Sequence, residues 1–219
     1  MKGLIIGQYY ATAKALITYL IISILLAIGV SYFGGSGSDF MCLLIVMLMV
    51  SAATDNLKNE AEAQWYKFAV TLPVSRKQIV QSHFLYYLIT MMIGVGIVII
   101  ALIAGIMFGT IAVVNAVTTL GICLSIGLWV LLMYPFTYSV GADKSNMIQV
   151  IVTIIALGFF FVFNFISLII GGSIYESGGE AMQHLEFELI RQSIFIVISL
   201  IAAAAGYFIG LNKFKKTNF

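Results

Sequence analysis

Charge is scarce in this chain. Asp, Glu, Lys and Arg make up 9% of its 219 residues, and 62% are hydrophobic. Soluble domains run near a quarter charged. Mean hydropathy is +1.09. A soluble fold of this size has no place to hide so much apolar surface, so the composition excludes a water-soluble domain and calls for lipid as solvent. Cysteine is nearly absent. Cys42 and Cys123 lie in apolar runs and read as small buried hydrophobes, with no spacing that suggests a metal site or a disulfide framework. The two histidines, His83 and His184, are too far apart in sequence to suggest a metal pair. H-E-x-x-H, G-x-S-x-G and the phosphate-binding G-x-x-x-x-G-K-[ST] are all missing. Gly141-Ala142-Asp143-Lys144-Ser145 lacks the second glycine before the lysine, so it is no phosphate loop. The chain is expected to bind no cofactor, and the net charge of +2 gives no reason to expect a nucleic-acid partner.

What is present is a series of long apolar runs. A spanning helix needs roughly 20 such residues. Six runs qualify, at about 15–33, 40–54, 85–108, 112–133, 147–170 and 190–211. The second is short and must borrow flanking residues, tilt, or sit in thin lipid. No charged residue occurs from Gln78 to Ala142, which leaves room for two spans and a tight turn. The first run is longer than a signal-peptide core and no A-x-A site follows, so it reads as a retained span. The expected fold is all-α: one transmembrane domain over 1–219 with six helices.

Lysine and arginine orient the bundle. Lys2, Lys14, Lys58, Lys67, Arg76, Lys77, Lys144, Lys213, Lys215 and Lys216 fall on one side of a six-span layout. The other side has Arg191, at a span boundary, and the acids Asp39, Glu176, Glu180, Glu186 and Glu188. This asymmetry puts both termini in the cytoplasm. The outer acids of the 175–188 segment read as a solvated loop.

No Asp, Glu, Lys or Arg lies deep in a span, which argues against an ion-coupled carrier. Asn115, Asn164, Ser23, Ser125 and Thr153 are expected to hydrogen-bond neighbouring helices. Ala101, Gly105 and Gly109 share one helical face, as do Ala202, Gly206 and Gly210; such faces allow close helix packing.

The largest connection, 55–84, reads as two helices joined at Pro73. Asn59 and Glu62 have capping-box spacing, as do Ser75 and Gln78, with Val74 and Ile79 placed as a hydrophobic staple. Trp65, Phe68, Ala69 and Leu72 recur at helical spacing and form one apolar face. Leu72-Pro73 stops the first helix. The second can run straight into the third span. The apolar face suits either the lipid interface or a groove on another protein.

The stretch from Glu62 to Val80 carries Glu62, Trp65 and Phe68, then Leu72-Pro73-Val74-Ser75-Arg76-Lys77. It resembles a motif of small permease subunits of type-2 ATP-binding-cassette exporters, in which an acidic residue and a tryptophan precede an L-P-x-S-R segment. Tyr134-Pro135-Phe136 followed by Gly141, Asp143 and Lys144 is similar to that family's segment between the fourth and fifth spans, with Asp143 where glutamate is common. The six-span, ends-inside layout also fits.

The resemblance implies a mechanism. Two permease subunits pair, as a homodimer or heterodimer, over separate nucleotide-binding ATPase subunits that hold the ATP and Mg. Glu62, Trp65, Phe68, Leu72, Pro73, Ser75, Arg76 and Lys77 would form the coupling helix and its hinge, with Gly141, Asp143 and Lys144 in a second cytoplasmic loop. Residues 2–14 would be a short amphipathic elbow, and about 175–188 short external helices. The expected location is a bacterial plasma membrane. Some members export amphipathic peptides, including toxins and antimicrobial peptides, and a charge-free bundle suits a hydrophobic or amphipathic cargo. The alternative is a self-contained six-span carrier or channel.

Overall fold

The computed structural model describes residues 2–34, 37–65, 75–175 and 184–216. The described residues are helical and contain no strand. They form α1 (Lys2–Phe33), α2 (Ser38–Glu62), α3 (Arg76–Met107), α4 (Val113–Val130), α5 (Met133–Val140), α6 (Ser145–Ile174) and α7 (Leu185–Lys216). A short 3₁₀ turn, Ala142–Lys144, joins α5 to α6. Six helical units are long and apolar enough to cross a membrane, α4 and α5 together making one. Helices suit lipid because each satisfies its own backbone hydrogen bonds.

The helices outrun the apolar cores of the sequence. α2 continues through Glu62, so the short second run borrows length at its carboxyl side. Asn59 therefore lies inside α2 and starts no new helix; its Nδ2 donates to the Ala11 carbonyl of α1 at 3.2 Å. The Asn59–Glu62 cap is thus corrected: Asn59 to Glu62 are the last turn of α2, which ends at Glu62. At the amino end, α1 is unbroken from Lys2 to Phe33. Residues 2–14 continue the first span, so the separate elbow is corrected too. Nothing in this stretch breaks a helix: it has no proline, and Gly3 and Gly7 cost a helix only about 1 kcal/mol each against alanine.

α4 stops at Val130 and α5 starts at Met133. Pro135 explains the break. It has no N–H to donate to Leu131, whose carbonyl instead accepts from Tyr134 N at 3.3 Å.

Burial sorts the helices. The spanning windows of α2 and α4 are 61% and 67% buried, against 22% and 17% for α1 and α6. α2 and α4 are thus the centre, and α1 and α6 present apolar flanks such as Ile21, Leu25, Ile28, Ile154, Phe161 and Phe165. The α2–α3 approach is close at Gly94, where an added Cβ would sit 3.1 Å from Val46 Cα.

The small-residue faces serve packing within the chain, with one correction. Gly206 lies against Leu132, and Gly210 faces Phe84, Pro135 and Tyr138. Gly105 packs on Ile111. Gly109, however, is beyond the end of α3 with φ +71°, so it shapes a turn rather than sharing a helical face. At the same end, Gly34 (φ +48°) abuts Thr110, which donates to the Ser31 carbonyl at 2.9 Å.

Candidate functional site

Six crossings return the chain to the side from which it starts. Side-chain contacts mark this termini end: α1 near Gln8, α2 near Glu60, α3 near His83, α5 near Tyr138 and α7 near Phe214. Here α2 and α3 are joined by polar groups. His83 Nε2 lies 2.9 Å from Glu60 Oε2, and His83 Nδ1 lies 2.8 Å from the Tyr138 hydroxyl. Asn56 Nδ2 donates to Glu60 Oε1 at 2.8 Å. With the Tyr138 hydroxyl donating to Nδ1 and Nε2–H donating to the carboxylate, all three bonds are satisfied at once. His83 is 1% exposed and Glu60 9%, so the network is withdrawn from water, where hydrogen bonds are stronger and vacancies costlier.

Aromatic rings surround it. Phe84 packs on Tyr134 with centroids 4.6 Å apart and on Tyr207 at 5.2 Å. Tyr138 meets Phe214 edge-on at 5.0 Å. The Tyr134 hydroxyl donates to the His83 carbonyl at 3.0 Å. α3 is therefore gripped near its start by α2, α5 and α7.

The start of α3 is itself fixed. The Ser75 hydroxyl accepts from Gln78 N, and the Gln78 side chain accepts from Ser75 N at 2.9 Å. This is the expected capping box, and it satisfies two orphan donors. Arg76 is half-buried and Lys77 exposed in the first turn. Glu62, exposed at the end of α2, pairs with Lys58 at 3.8 Å. Trp65 is half-buried beyond it. Phe68, Leu72, Pro73 and the staple residue Val74 lie outside the described residues. Gly141 has φ +122°, and Asp143 and Lys144 are exposed in the following turn. Of the sequence-selected residues, Glu62, Trp65 and Ser75–Lys77 are thus at the termini end, on the two limbs that flank 66–74.

A groove of about 390 Å³ lies between α1, α2 and α6. Its walls are mostly apolar but carry several polar side chains, although they lie in spanning helices. Tyr19 donates to Asp55 Oδ2 at 2.6 Å. Thr54 donates to Gln149 Oε1 at 2.6 Å, and Gln149 Nε2 donates to Ser51 at 3.2 Å. Thr153 continues the wall, with its hydroxyl on the Gln149 carbonyl and 4.0 Å from Met47 Sδ.

The far end has a second cluster, which revises the outer-loop expectation. Glu188 and Arg191 are 1% and 5% exposed and pair at 2.6 Å. Arg191 also donates to Asn164 Oδ1 of α6, and Thr118 of α4 donates to Glu188 at 3.1 Å. Thr119 donates to Asp39 of α2. Glu188 is therefore a buried bridge between helices and not part of a solvated loop; Glu186 is exposed, and Glu176 and Glu180 lie outside the described residues. The misreading arises because α7 begins at Leu185, five residues before the expected span, which carries Glu188 into the bundle. Among the polar residues assigned to interhelical bonding, Asn164 bonds Arg191, and Thr153 reaches only the Met47 sulfur. The hydroxyls of buried Ser23 and Ser125 have no hydrogen-bond partner among the described residues, and Asn115 is exposed.

A family model of the ABC-2 family transporter protein matches residues 3–215, nearly the whole chain. This chain belongs to the ABC-2 transporter family. It is a type-2 ABC permease subunit, a multi-pass membrane component of a transporter and not itself the catalytic part. ABC-2 membership implies assembly with an ATPase partner in a lipid bilayer. No protein of curated function and no solved structure matches the chain significantly.

Proposed function

We propose that this ABC-2 permease subunit works in an exporter of hydrophobic or amphipathic cargo, peptides foremost, driven by separate nucleotide-binding subunits through the 55–84 connection. The observation that carries this reading is the continuity of α3. One capped helix of 32 residues runs from Arg76, next to the 66–74 segment, to Met107 at the far end. A push on that segment acts on a stiff rod already locked to α2 by Glu60 and His83.

In this reading Trp65 and Phe68 are the anchors in the ATPase, since buried aromatics dominate interface energies. Leu72 extends their face. Glu62, Arg76 and Lys77 flank it with charge, and Pro73 and Ser75 set the angle to α3. Gly141, Asp143 and Lys144 form a second contact point. The termini end is cytoplasmic, as its lysines and arginines favour, and the membrane is the bacterial plasma membrane. ATP and Mg bind in the partner ATPase.

The sparsely buried α1 and α6 support pairing with a second permease subunit, of the same or another sequence. The groove of Tyr19, Ser51, Asp55 and Gln149 between them would then face the shared path. Its mixture of hydroxyls, amides and apolar walls suits an amphipathic cargo.

Purification of the full chain in mild detergent tests the reading. A companion ATPase is expected to co-purify, and transport in liposomes is expected to require it and ATP. Full transport by the chain alone without ATP would establish the alternative, a self-contained carrier or channel.

A further inference from the structure

The α1–α2–α6 groove is graded along its length. Leu44, Met47, Ser51 and Asp55 form one stripe of α2 in its wall, about 16 Å long at the helical rise. α6 runs antiparallel beside this stripe: Ser145 donates to the Thr54 carbonyl at 3.1 Å, Gln149 meets Ser51, and Thr153 meets Met47. Asn146 therefore lies at the Asp55 end, and Ile154 at the apolar Leu44 end. Asp55 is the one formally charged side chain among the described residues of the wall. The second apolar run of the sequence stops at Thr54, but α2 continues to Glu62, which puts Asp55 about two turns inside the helix. Its carboxylate is only half engaged. Tyr19 donates to Oδ2. Oδ1 accepts no hydrogen bond from a described residue and is not sealed from the surface. No described Lys, Arg or His lies within ion-pair distance of it, and Lys58, one turn on, pairs with Glu62. The other hydroxyls of the wall donate elsewhere: Ser51 to the Met47 carbonyl at 2.9 Å and Thr153 to the Gln149 carbonyl at 2.8 Å. Gln149 gives one amide hydrogen to Ser51. Its second amide hydrogen and the amide of exposed Asn146 are neutral groups that cannot balance a charge.

We infer, on the basis of the exporter reading, that this groove selects its cargo by charge: Asp55 receives an ammonium or guanidinium group of an amphipathic peptide, and the Leu44 end takes the apolar side chains beside that group. Ionisable residues in spanning helices are costly and mark substrate pathways. A carboxylate with a vacant oxygen and no counter-charge is best met by an ionised donor, since charge-assisted hydrogen bonds are about twice as strong as neutral ones. An anionic cargo would instead meet the groove's single charge as a repulsion, which is how a binding surface rejects a wrong partner. Tyr19 is a positioning residue here: it holds Oδ2 and leaves Oδ1 for the cargo. The gradient from Asp55 to Leu44 matches a peptide face that carries a cationic residue at one end and apolar residues at the other.

The test is a binding titration on the full chain, with the subunits that accompany it, in phosphatidylcholine nanodiscs without ATP. The probe is a dye-labelled amphipathic helical peptide of leucine and lysine with both ends blocked. The same peptide with glutamine in place of lysine is the neutral control, and empty nanodiscs are the partition blank. Saturable binding of the lysine peptide, at least about tenfold tighter than of the glutamine peptide, is expected. Asp55→Asn keeps an acceptor for Tyr19, removes the charge, and should erase that preference. Asn146→Lys leaves Asp55 in place and supplies a fixed counter-charge from an exposed position at the same end. It should erase the preference as well, so the test stands even if the Asp55 variant fails to fold. Equal affinity for the two peptides in the wild type, or an undiminished preference in either folded variant, would overturn the inference. Displacement of the lysine peptide by phosphatidylethanolamine added to the discs would assign the groove to a lipid ammonium and would also overturn it. ATP-dependent export with charge-blind binding would keep the exporter and sink the charge selection alone. Charge-selective binding in a chain that transports without ATP would do the reverse.

Discussion

Glu60 and His83 meet across the α2–α3 interface with 2.9 Å between Oε2 and Nε2, both shielded from solvent. They are 23 residues apart in sequence, and the chain between them includes the 66–74 segment assigned to the ATPase. The pair therefore closes the base of the hairpin. Whatever force enters at Trp65 reaches the bundle through a junction fastened at this point.

Removing one partner should weaken that junction sharply. His83→Leu leaves the Glu60 carboxylate with only the Asn56 amide, and losing a hydrogen bond to a buried carboxylate costs about 1.5–3 kcal/mol. Thermal unfolding in detergent should show a large drop for His83→Leu. The double variant with Glu60→Gln should recover much of it, because the under-bonded buried carboxylate is gone. Equal losses for the single and double variants would deny the pairing.

The same logic applies at the far end. Arg191→Met strands Glu188, which is 1% exposed, and is expected to cost about 3–5 kcal/mol. Arg191→Met with Glu188→Gln should be milder than Arg191→Met alone. Glu186→Gln, at an exposed neighbour, should change stability by no more than about 0.5 kcal/mol. Unfolding monitored by intrinsic fluorescence separates these three cases.

Two glycines on α3 should respond oppositely. Gly94→Leu forces a side chain against Val46 and Met49, with the first carbon already within 3.1 Å of Val46 Cα, and overpacking of this kind costs about 1–3 kcal/mol. Gly96 has open space at its Cβ position. Gly96→Ala should stabilise the helix by about 0.5–1 kcal/mol. Melting temperatures of the two variants in one detergent give the comparison.

Ser75→Ala removes one half of the capping box and should cost about 1 kcal/mol, whereas Ser75→Asp, another good cap, should cost much less. If α3 acts as a rod, Ser75→Ala should also lower transport per ATP hydrolysed, an effect that a purely local loss of stability would not produce once the protein is folded. The ratio of transport to ATP turnover, measured below the unfolding range, separates the two.

Local features of this protein were readable before its structure because their causes are local. Apolar runs without charge mark the six crossings, and Ser75 and Gln78 lie three residues apart, so their mutual cap follows from spacing alone. Asn56–Glu60 and Glu188–Arg191 are pairs within one helix at four- and three-residue spacing, but the contacts of Glu60 with His83, of Glu188 with Thr118 and of Asn164 with Arg191 join different helices, and no short-range pattern announces them. His83 is a solitary histidine in sequence and becomes a bridge only when α2, α3 and α5 converge. Asn59 shows the opposite error. Its cap spacing to Glu62 is correct, but α2 does not stop at Thr54, so there is no helix start to cap. Gly109 keeps the four-residue interval from Gly105 although α3 has already ended at Met107. Spacing identifies a face only while the helix lasts.

The account rests on energy entering through the aromatic hairpin. The decisive measurement compares the wild-type chain with Trp65→Ala/Phe68→Ala, each reconstituted with its ATPase, for membrane insertion, ATPase binding and ATP-dependent export. The double variant is expected to insert normally while ATPase activity becomes uncoupled from the membrane subunit and export is lost. Normal ATPase binding together with undiminished export in that variant would contradict the account.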